Sequence, residues 1–350
     1  MEDPIRIGAA KIDGPWSEVI DVRSPSEFAE DHVPGAINLP VLSDDERAVV
    51  GKMYVRDGAF LARRHGAALI TANISRLLGG HFCEKPPGYR PLVYCWRGGQ
   101  RSGSLATILA AVGWPVAVLE GGYKAYRQWV RDRLGALAAP GRLRLRVIGG
   151  LTGSGKTLLL GALAAAGEQV LDLEGLANHR GSQLGRAFPE PGQPTQKAFE
   201  TSIVAALEHF DPGRTVFVEA ESNKVGKLHV PGDLWARMRE APVTELVVPS
   251  AARAEFLVGD YPHFVRDAPH FVATLEPLRH IVGTRCLERW KALAEAGAWR
   301  EMVVDLLESH YDPSYLRSRD RIFQPADMQI EMGEISAASI AAAVAKLRPG

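Results

Sequence analysis

Cysteine is scarce in this chain: 350 residues hold three, Cys83, Cys95 and Cys286, and no two of them stand in CxxC spacing. Neither their number nor their spacing supplies a disulfide framework, which fits a reducing compartment. Excess charge is absent too. With 41 Lys and Arg against 41 Asp and Glu, no global field draws the chain to nucleic acid or to an anionic membrane, so any RNA-binding surface has to be a local basic patch. Long hydrophobic runs are missing: the stretches Leu105 to Leu119 and Leu158 to Ala166 are too short to span a bilayer, and Gly113 and Pro115 interrupt the first. The start, Met1-Glu2-Asp3-Pro4, has neither the basic nor the apolar segment of an export signal. No internal repeat or low-complexity tract stands out. These absences predict a soluble, cytoplasmic protein.

What is present suffices for ordinary buried cores: 46% of residues are hydrophobic and 23% charged. The length is that of two or three domains. Short strand-like runs, Glu18 to Asp21, Leu92 to Cys95 and Ala117 to Glu120, alternate with helical patterns in the first half. A second alternating series begins with Leu143 to Ile148 and continues through Val170 to Leu173, Thr215 to Val218 and Glu245 to Val248. Helical stretches such as Lys156 to Ala166, Gln196 to Phe210 and Gly232 to Glu240 separate these runs. Small residues with Pro140 and Gly141 mark Gly135 to Gly141 as the linker. From Thr274 to His310 the pattern is mostly helical, with Leu275, Leu278, Ile281, Val282, Cys286 and Trp290 at helical spacing. The prediction is an α/β chain: a parallel α/β domain over residues 1–137, then a P-loop NTPase-like α/β domain with a helical C-terminal extension over residues 138–350.

Two loops carry the chemistry, each placed between a strand-like run and a helix-like run, where backbone N–H groups and a helix N-terminus can hold an anion. The first is Cys95-Trp96-Arg97-Gly98-Gly99-Gln100-Arg101-Ser102. A cysteine at a strand end, with converging amides and Arg101 beside a helix start, is expected to have a lowered thiol pKa and to act as a nucleophile. Cys83 and Cys286 lack such surroundings and read as structural. Five residues separate Cys95 from Arg101, and so wide a ring of amides suits a tetrahedral, phosphate-sized anion better than a lone sulfur atom. The expected donor is therefore shaped like phosphate, as selenophosphate is.

The second loop, Gly150-Leu151-Thr152-Gly153-Ser154-Gly155-Lys156-Thr157, satisfies the Walker A spacing in the strand, turn and helix context that the motif requires. Lys156 is expected to neutralise terminal phosphates, and Thr157 to hold Mg2+ together with Glu219. Glu219 and Glu221 follow an apolar run, where a Walker B acid sits. Asp172, His179 and Arg180 stand after another strand, at the same edge as the P-loop, and are further crevice candidates. Neither an NKxD signature nor an adenine-specific element is visible, so the bound phosphates need not belong to a nucleotide.

Asp21-Val22-Arg23-Ser24, Glu27-Phe28, His32-Val33-Pro34-Gly35-Ala36-Ile37-Asn38, Tyr94-Cys95 and Glu120-Gly121-Gly122-Tyr123 resemble the rhodanese family, in the right order, over roughly the first 135 residues. With Gly150 to Thr157, Asp172 to Ser182, Gln193 to Glu200, Glu219 to Gly226 and His310 to Tyr315 added, the whole chain resembles the tRNA 2-selenouridine synthase family, in which a rhodanese domain precedes a P-loop domain. The resemblance implies replacement of the sulfur of wobble 2-thiouridine in tRNA by selenium from selenophosphate. It further implies an S-geranyl-2-thiouridine intermediate formed with geranyl diphosphate. Carried over, Cys95 is the catalytic cysteine, with Arg97, Gly98, Gly99 and Arg101 shaping its anion nest. Gly150, Gly153, Ser154, Gly155, Lys156 and Thr157 hold the diphosphate. No bound organic cofactor is expected. tRNA is the expected partner, with a selenophosphate-supplying enzyme upstream and no membrane. Candidate RNA-contacting clusters are Arg142-Arg144-Arg146, Arg237-Arg239, Arg285-Arg289-Lys291 and Arg317-Arg319-Arg321, with Trp96 as a stacking platform.

Three rivals use the same residues differently. An NTP-dependent kinase or ATPase with a sulfur-delivering rhodanese half would turn over nucleotide without RNA. A cysteine phosphatase would suit the loop length, although Tyr94 stands where histidine is usual. A non-catalytic tRNA-binding scaffold would not need intact Cys95, Arg101, Lys156 and Thr157.

Overall fold

Parallel strands buried on both faces read as short continuous apolar runs, and both sheets of this protein are of that kind. The computed structural model describes residues 4–179, 192–220 and 222–348. Its contacts divide the chain into two units: Met1–Ala136 with Pro194–Ala205, and Leu137–Gln193 with Ala206–Gly350.

The first unit is built on strands β1 (Ile5–Ile7), β2 (Glu18–Asp21), β3 (Ile37–Asn38), β4 (Pro91–Tyr94) and β5 (Ala117–Leu119). They form one parallel sheet in the order β1-β5-β4-β2-β3. All four residues of β4 are buried, and the core packs Ile20, Val93 and Val118 against Leu105 and Leu109 of the helix Gln100–Val112. Between β3 and β4 the chain makes a helical hairpin, Asp44–Arg56 and Ala59–Gly79. Ser43 and Glu46 form a capping box at its start, and Gly58, at φ +87°, makes the sharp turn between the two helices.

The second unit has β6 (Arg144–Gly150), β7 (Gln169–Leu171), β8 (Thr215–Glu219), the two-residue strands β9 (Lys224–Val225) and β10 (Leu228–His229), β11 (Val243–Val247) and β12 (Met328–Glu331). The main sheet is parallel in the order β12-β11-β6-β8-β7. β6 runs two residues beyond the sequence expectation because Gly149 and Gly150 still pair with Glu245 and Leu246. Two elements were not among the expectations: β12, a short edge strand with one buried residue, and the closing helix Ala337–Leu347, which packs on Lys156–Ala165. The expected helical region is a succession of short helices broken at Gly283 (φ +82°) and Gly297 (φ +71°). Leu275, Leu278 and Trp290 enter its core as the spacing predicted, but Ile281 is 65% exposed. The four-residue helix Arg279–Val282 has no buried residue and turns that side chain to solvent.

Candidate functional site

Strand β4 delivers Cys95 at its carboxyl end, and the helix Gln100–Val112 starts where the glycine turn finishes. Two glycine turns interlock here. A Cβ on Gly98 (φ +65°) would come within 2.6 Å of the Leu119 carbonyl oxygen. One on Gly122 (φ +59°) would come within 2.2 Å of the Cys95 oxygen and 2.5 Å of the Gly98 nitrogen. Backbone approach this close admits only glycine. The N–H of Tyr123 donates to the Cys95 carbonyl at 2.8 Å, and that of Lys124 to the Trp96 carbonyl at 3.0 Å. Cys95 is 3% exposed, and the Ser102 hydroxyl donates to its sulfur at 3.2 Å. Sequence reading placed Ser102 in the loop but gave it no role. Its position one helical turn after Gly99 was the available signal.

Arg97 is exposed at the rim, whereas Arg101 is committed: its guanidinium donates to both oxygens of Glu27, at 2.5 and 3.2 Å. Burial alone would raise the Glu27 carboxyl, but the hydrogen bond and charge of Arg101 outweigh it and hold the group below its ordinary range. Beneath the loop, Arg23 is fully buried and bidentate to Asp21 at 2.9 and 2.6 Å. Its guanidinium carbon lies 3.9 Å from the centre of the Tyr123 ring. Tyr123 also packs against Trp96, ring centres 5.4 Å apart, so Trp96 is already partnered by one aromatic ring. The Tyr123 hydroxyl and the Thr201 hydroxyl both donate to Asp31, at 2.8 and 3.1 Å. Burial nevertheless raises the Asp31 carboxyl, more than these bonds lower it.

In the second unit, β6 feeds Gly150 to Thr157 and the helix Lys156–Ala165 follows. Gly150, Gly153 and Gly155 have φ of +149°, +77° and +84°, the backbone that turns successive N–H groups toward one anion. Lys156 Nζ donates to the Gly150 carbonyl at 2.8 Å and stands 3.6 Å from Glu219. Thr157 donates to the other Glu219 oxygen at 3.3 Å. Glu219 is buried at the end of β8, the neighbour of β6. Its carboxylate and the Thr157 hydroxyl are hard oxygen donors side by side, a set that would fit a Mg2+ keeping most of its waters. Asp172 serves as a helix cap, accepting the Gly175 N–H at 2.8 Å. His179 lies against the turn between β9 and β10, where a Cβ on Gly226 would touch its ring at 2.6 Å. Arg180 and Glu221 lie outside the described residues. Among the described residues, five of the eleven cluster cations are ion-paired locally: Arg146 pairs with Asp327, Arg237 with Glu240, Arg289 with Asp305, Lys291 with Glu276 and Arg319 with Glu245.

The helical extension closes on the P-loop. The Tyr315 hydroxyl accepts the Gly150 N–H at 3.1 Å. Arg253, 2% exposed, is bidentate to Asp312 at 2.9 and 2.7 Å and donates to the Thr152 carbonyl at 3.0 Å. The P-loop opens into a cavity of about 780 Å3 lined largely by apolar side chains, Leu257, Phe264, Phe271, Trp299, Met302 and Leu306 among them, with Asp260, Ser314 and Arg319 as polar members. Gly153 abuts it directly, since a Cβ there would meet Leu257 at 2.8 Å. The Tyr311 hydroxyl, pushed up to about 12 by burial, has no hydrogen-bond partner among the described residues. Helical spacing singled out none of these six apolar side chains, and only packing shows that they line a cavity.

Fold and site thus define a class: α/β proteins that join a rhodanese-type cysteine loop to a P-loop. Residues 7–128 match the rhodanese-like domain, and residues 143–277 match the tRNA 2-selenouridine synthase AAA domain. The tRNA 2-selenouridine synthase of Cronobacter sakazakii is 35% identical over 335 residues, covering 85% of each chain. That of Salmonella typhi is 36% identical over 333 residues, 85% of this chain and 87% of its own. That of Sulfurovum sp. is 38% identical over 248 residues, a match spanning 69% of this chain and 65% of the relative. The chain belongs to the tRNA 2-selenouridine synthase family.

Proposed function

We propose that the protein modifies tRNA at wobble 2-thiouridine in two steps, S-geranylation from geranyl diphosphate and then exchange of sulfur for selenium from selenophosphate. The observation that carries the choice of geranyl diphosphate is the cavity: a phosphate cradle opening onto apolar and aromatic walls suits a diphosphate with a hydrocarbon tail. In the first step the thiouridine sulfur bonds to C1 of the geranyl group, the C1–O bond breaks, diphosphate leaves and N3 loses its proton. Lys156 and the P-loop amides stabilise the charge that develops on the departing diphosphate. Alkylation makes the sulfur a competent leaving group. Selenium of selenophosphate then bonds to C2, geranylthiol departs on taking a proton, and attack of water on phosphorus breaks the Se–P bond. Cys95, enclosed with Ser102, engages the selenium donor.

Mass spectrometry of wobble nucleosides tests this, after incubation with 2-thiouridine tRNA and geranyl diphosphate, with and without selenophosphate. Lys156→Ala is expected to cut geranylation by about 100-fold or more, as loss of a preorganised charge partner does. Selenation of pre-geranylated tRNA is expected to survive. Equal loss of both steps would point to a shared site or a folding defect, and ATP turnover without RNA would replace this reading with the kinase or ATPase one.

A further inference from the structure

The hairpin Asp44–Arg56 and Ala59–Gly79 has a tip unlike the rest of the surface. Val49, Tyr54, Val55, Phe60 and Leu61 are five of the thirteen large hydrophobic residues left exposed among those described, and they fall within thirteen positions. Phe60 is 72% and Val55 91% exposed. A chain of zero net charge also concentrates cations here: residues 48–68 hold Lys52, Arg56, Arg63 and Arg64 against one carboxylate, Asp57. Arg56 pairs with Asp57, Arg63 only reaches back to the Ala59 carbonyl, and Lys52 and Arg64 make no ion pair among the described residues. Phe60, Arg63 and Arg64 share a helix face at i, i+3 and i+4, and Val49, Lys52 and Arg56 recur similarly on the other helix.

We infer that this tip is an RNA-docking surface, with Phe60 and Tyr54 stacking on unpaired bases of the substrate tRNA and Lys52, Arg63 and Arg64 on its phosphates. Charge complementarity selects the occupant: exposed rings interleaved with unpaired cations suit a polyanion whose bases have π faces, while an acid-poor, cationic tip repels a second copy of itself. The inference rests on the tRNA-modifying reading above.

The test uses the whole chain, a labelled anticodon stem-loop RNA carrying 2-thiouridine, and fluorescence anisotropy over a salt series. Phe60→Ala is expected to weaken binding about tenfold, the usual effect of losing one stacked base, and Phe60→Tyr to retain it. Arg63→Glu with Arg64→Glu is expected to reduce the slope of log affinity against log salt by about two. Melting temperature and molar mass by light scattering stay as in the wild type. If the wild type binds and the variants bind equally well, this surface is wrong while the proposed function stands. If the wild type itself binds no RNA, the function falls too. A lower molar mass of the variants with RNA binding unchanged overturns the inference in favour of self-association.

Discussion

Both units place a glycine-bent turn between a parallel strand and a helix, a backbone suited to an anion, and they do so at different scales. In the first, two glycine turns lock together and Cys95 is left 3% exposed. The arginine that closes the loop is paired with Glu27. In the second, the turn is open on one side to a cavity of about 780 Å3. Under the proposed function, the enclosed thiol suits a small inorganic donor, and the open cradle with its largely apolar lining suits an organic diphosphate. The difference lies in what surrounds each loop, since the loops themselves are built alike.

The largest way to separate the two is Cys95→Ala, which is expected to abolish selenation while leaving geranylation intact in the nucleoside assay. Loss of both would mean that the two loops do not divide the steps. Glycine substitutions probe the packing asymmetry. Gly122→Ala drives a Cβ into two backbone atoms at positive φ, whereas at Gly153 the obstacle is the Leu257 side chain, which can move. The first is expected to cost roughly 4 kcal/mol or more and the second roughly 1–2 kcal/mol, measured as separate losses in urea unfolding.

Asp312→Asn removes the charge partner of buried Arg253 and is expected to destabilise the closure of the helical extension on the P-loop by about 3 kcal/mol. It would raise the KM for geranyl diphosphate without changing selenation of pre-geranylated tRNA. The smallest effect is on pH. The Glu27 carboxyl is depressed in the folded state by Arg101. Its contribution is therefore complete above the ordinary value of 4.5 and is lost as pH falls through the depressed one. Glu27→Gln is expected to flatten the stability profile below pH 4.5, seen by denaturant midpoints in acid. An unchanged slope would show that the Arg101 pair contributes nothing there.

Much of this protein was written in local pattern. Strand, glycine turn and helix follow one another around Cys95 and around Lys156, and a phosphate-binding turn is specified by consecutive residues, so short-range sequence determined both loops, the strand that places Glu219 and the α/β class. The short edge strand β12 left little signal, with one buried residue of four, whereas the closing helix was legible, with Ile340, Ala343, Val344 and Leu347 at helical spacing behind the Ser336 cap. The roles of single polar residues escaped for a different reason. A helix cap and a crevice residue are the same aspartate in sequence, and only the nearby N–H of Gly175 shows that Asp172 caps a helix. Likewise, Arg101 beside a cysteine loop promises a free charge until Glu27, 74 positions earlier in the chain, takes it. Tertiary structure alone decided the apolar cavity, the tie from Asp312 and Tyr315 to the P-loop, and the exposure of Phe60. Whether an apolar side chain fills a core, lines a cavity or faces water depends on what distant segments bring against it, and helical periodicity carries no record of that.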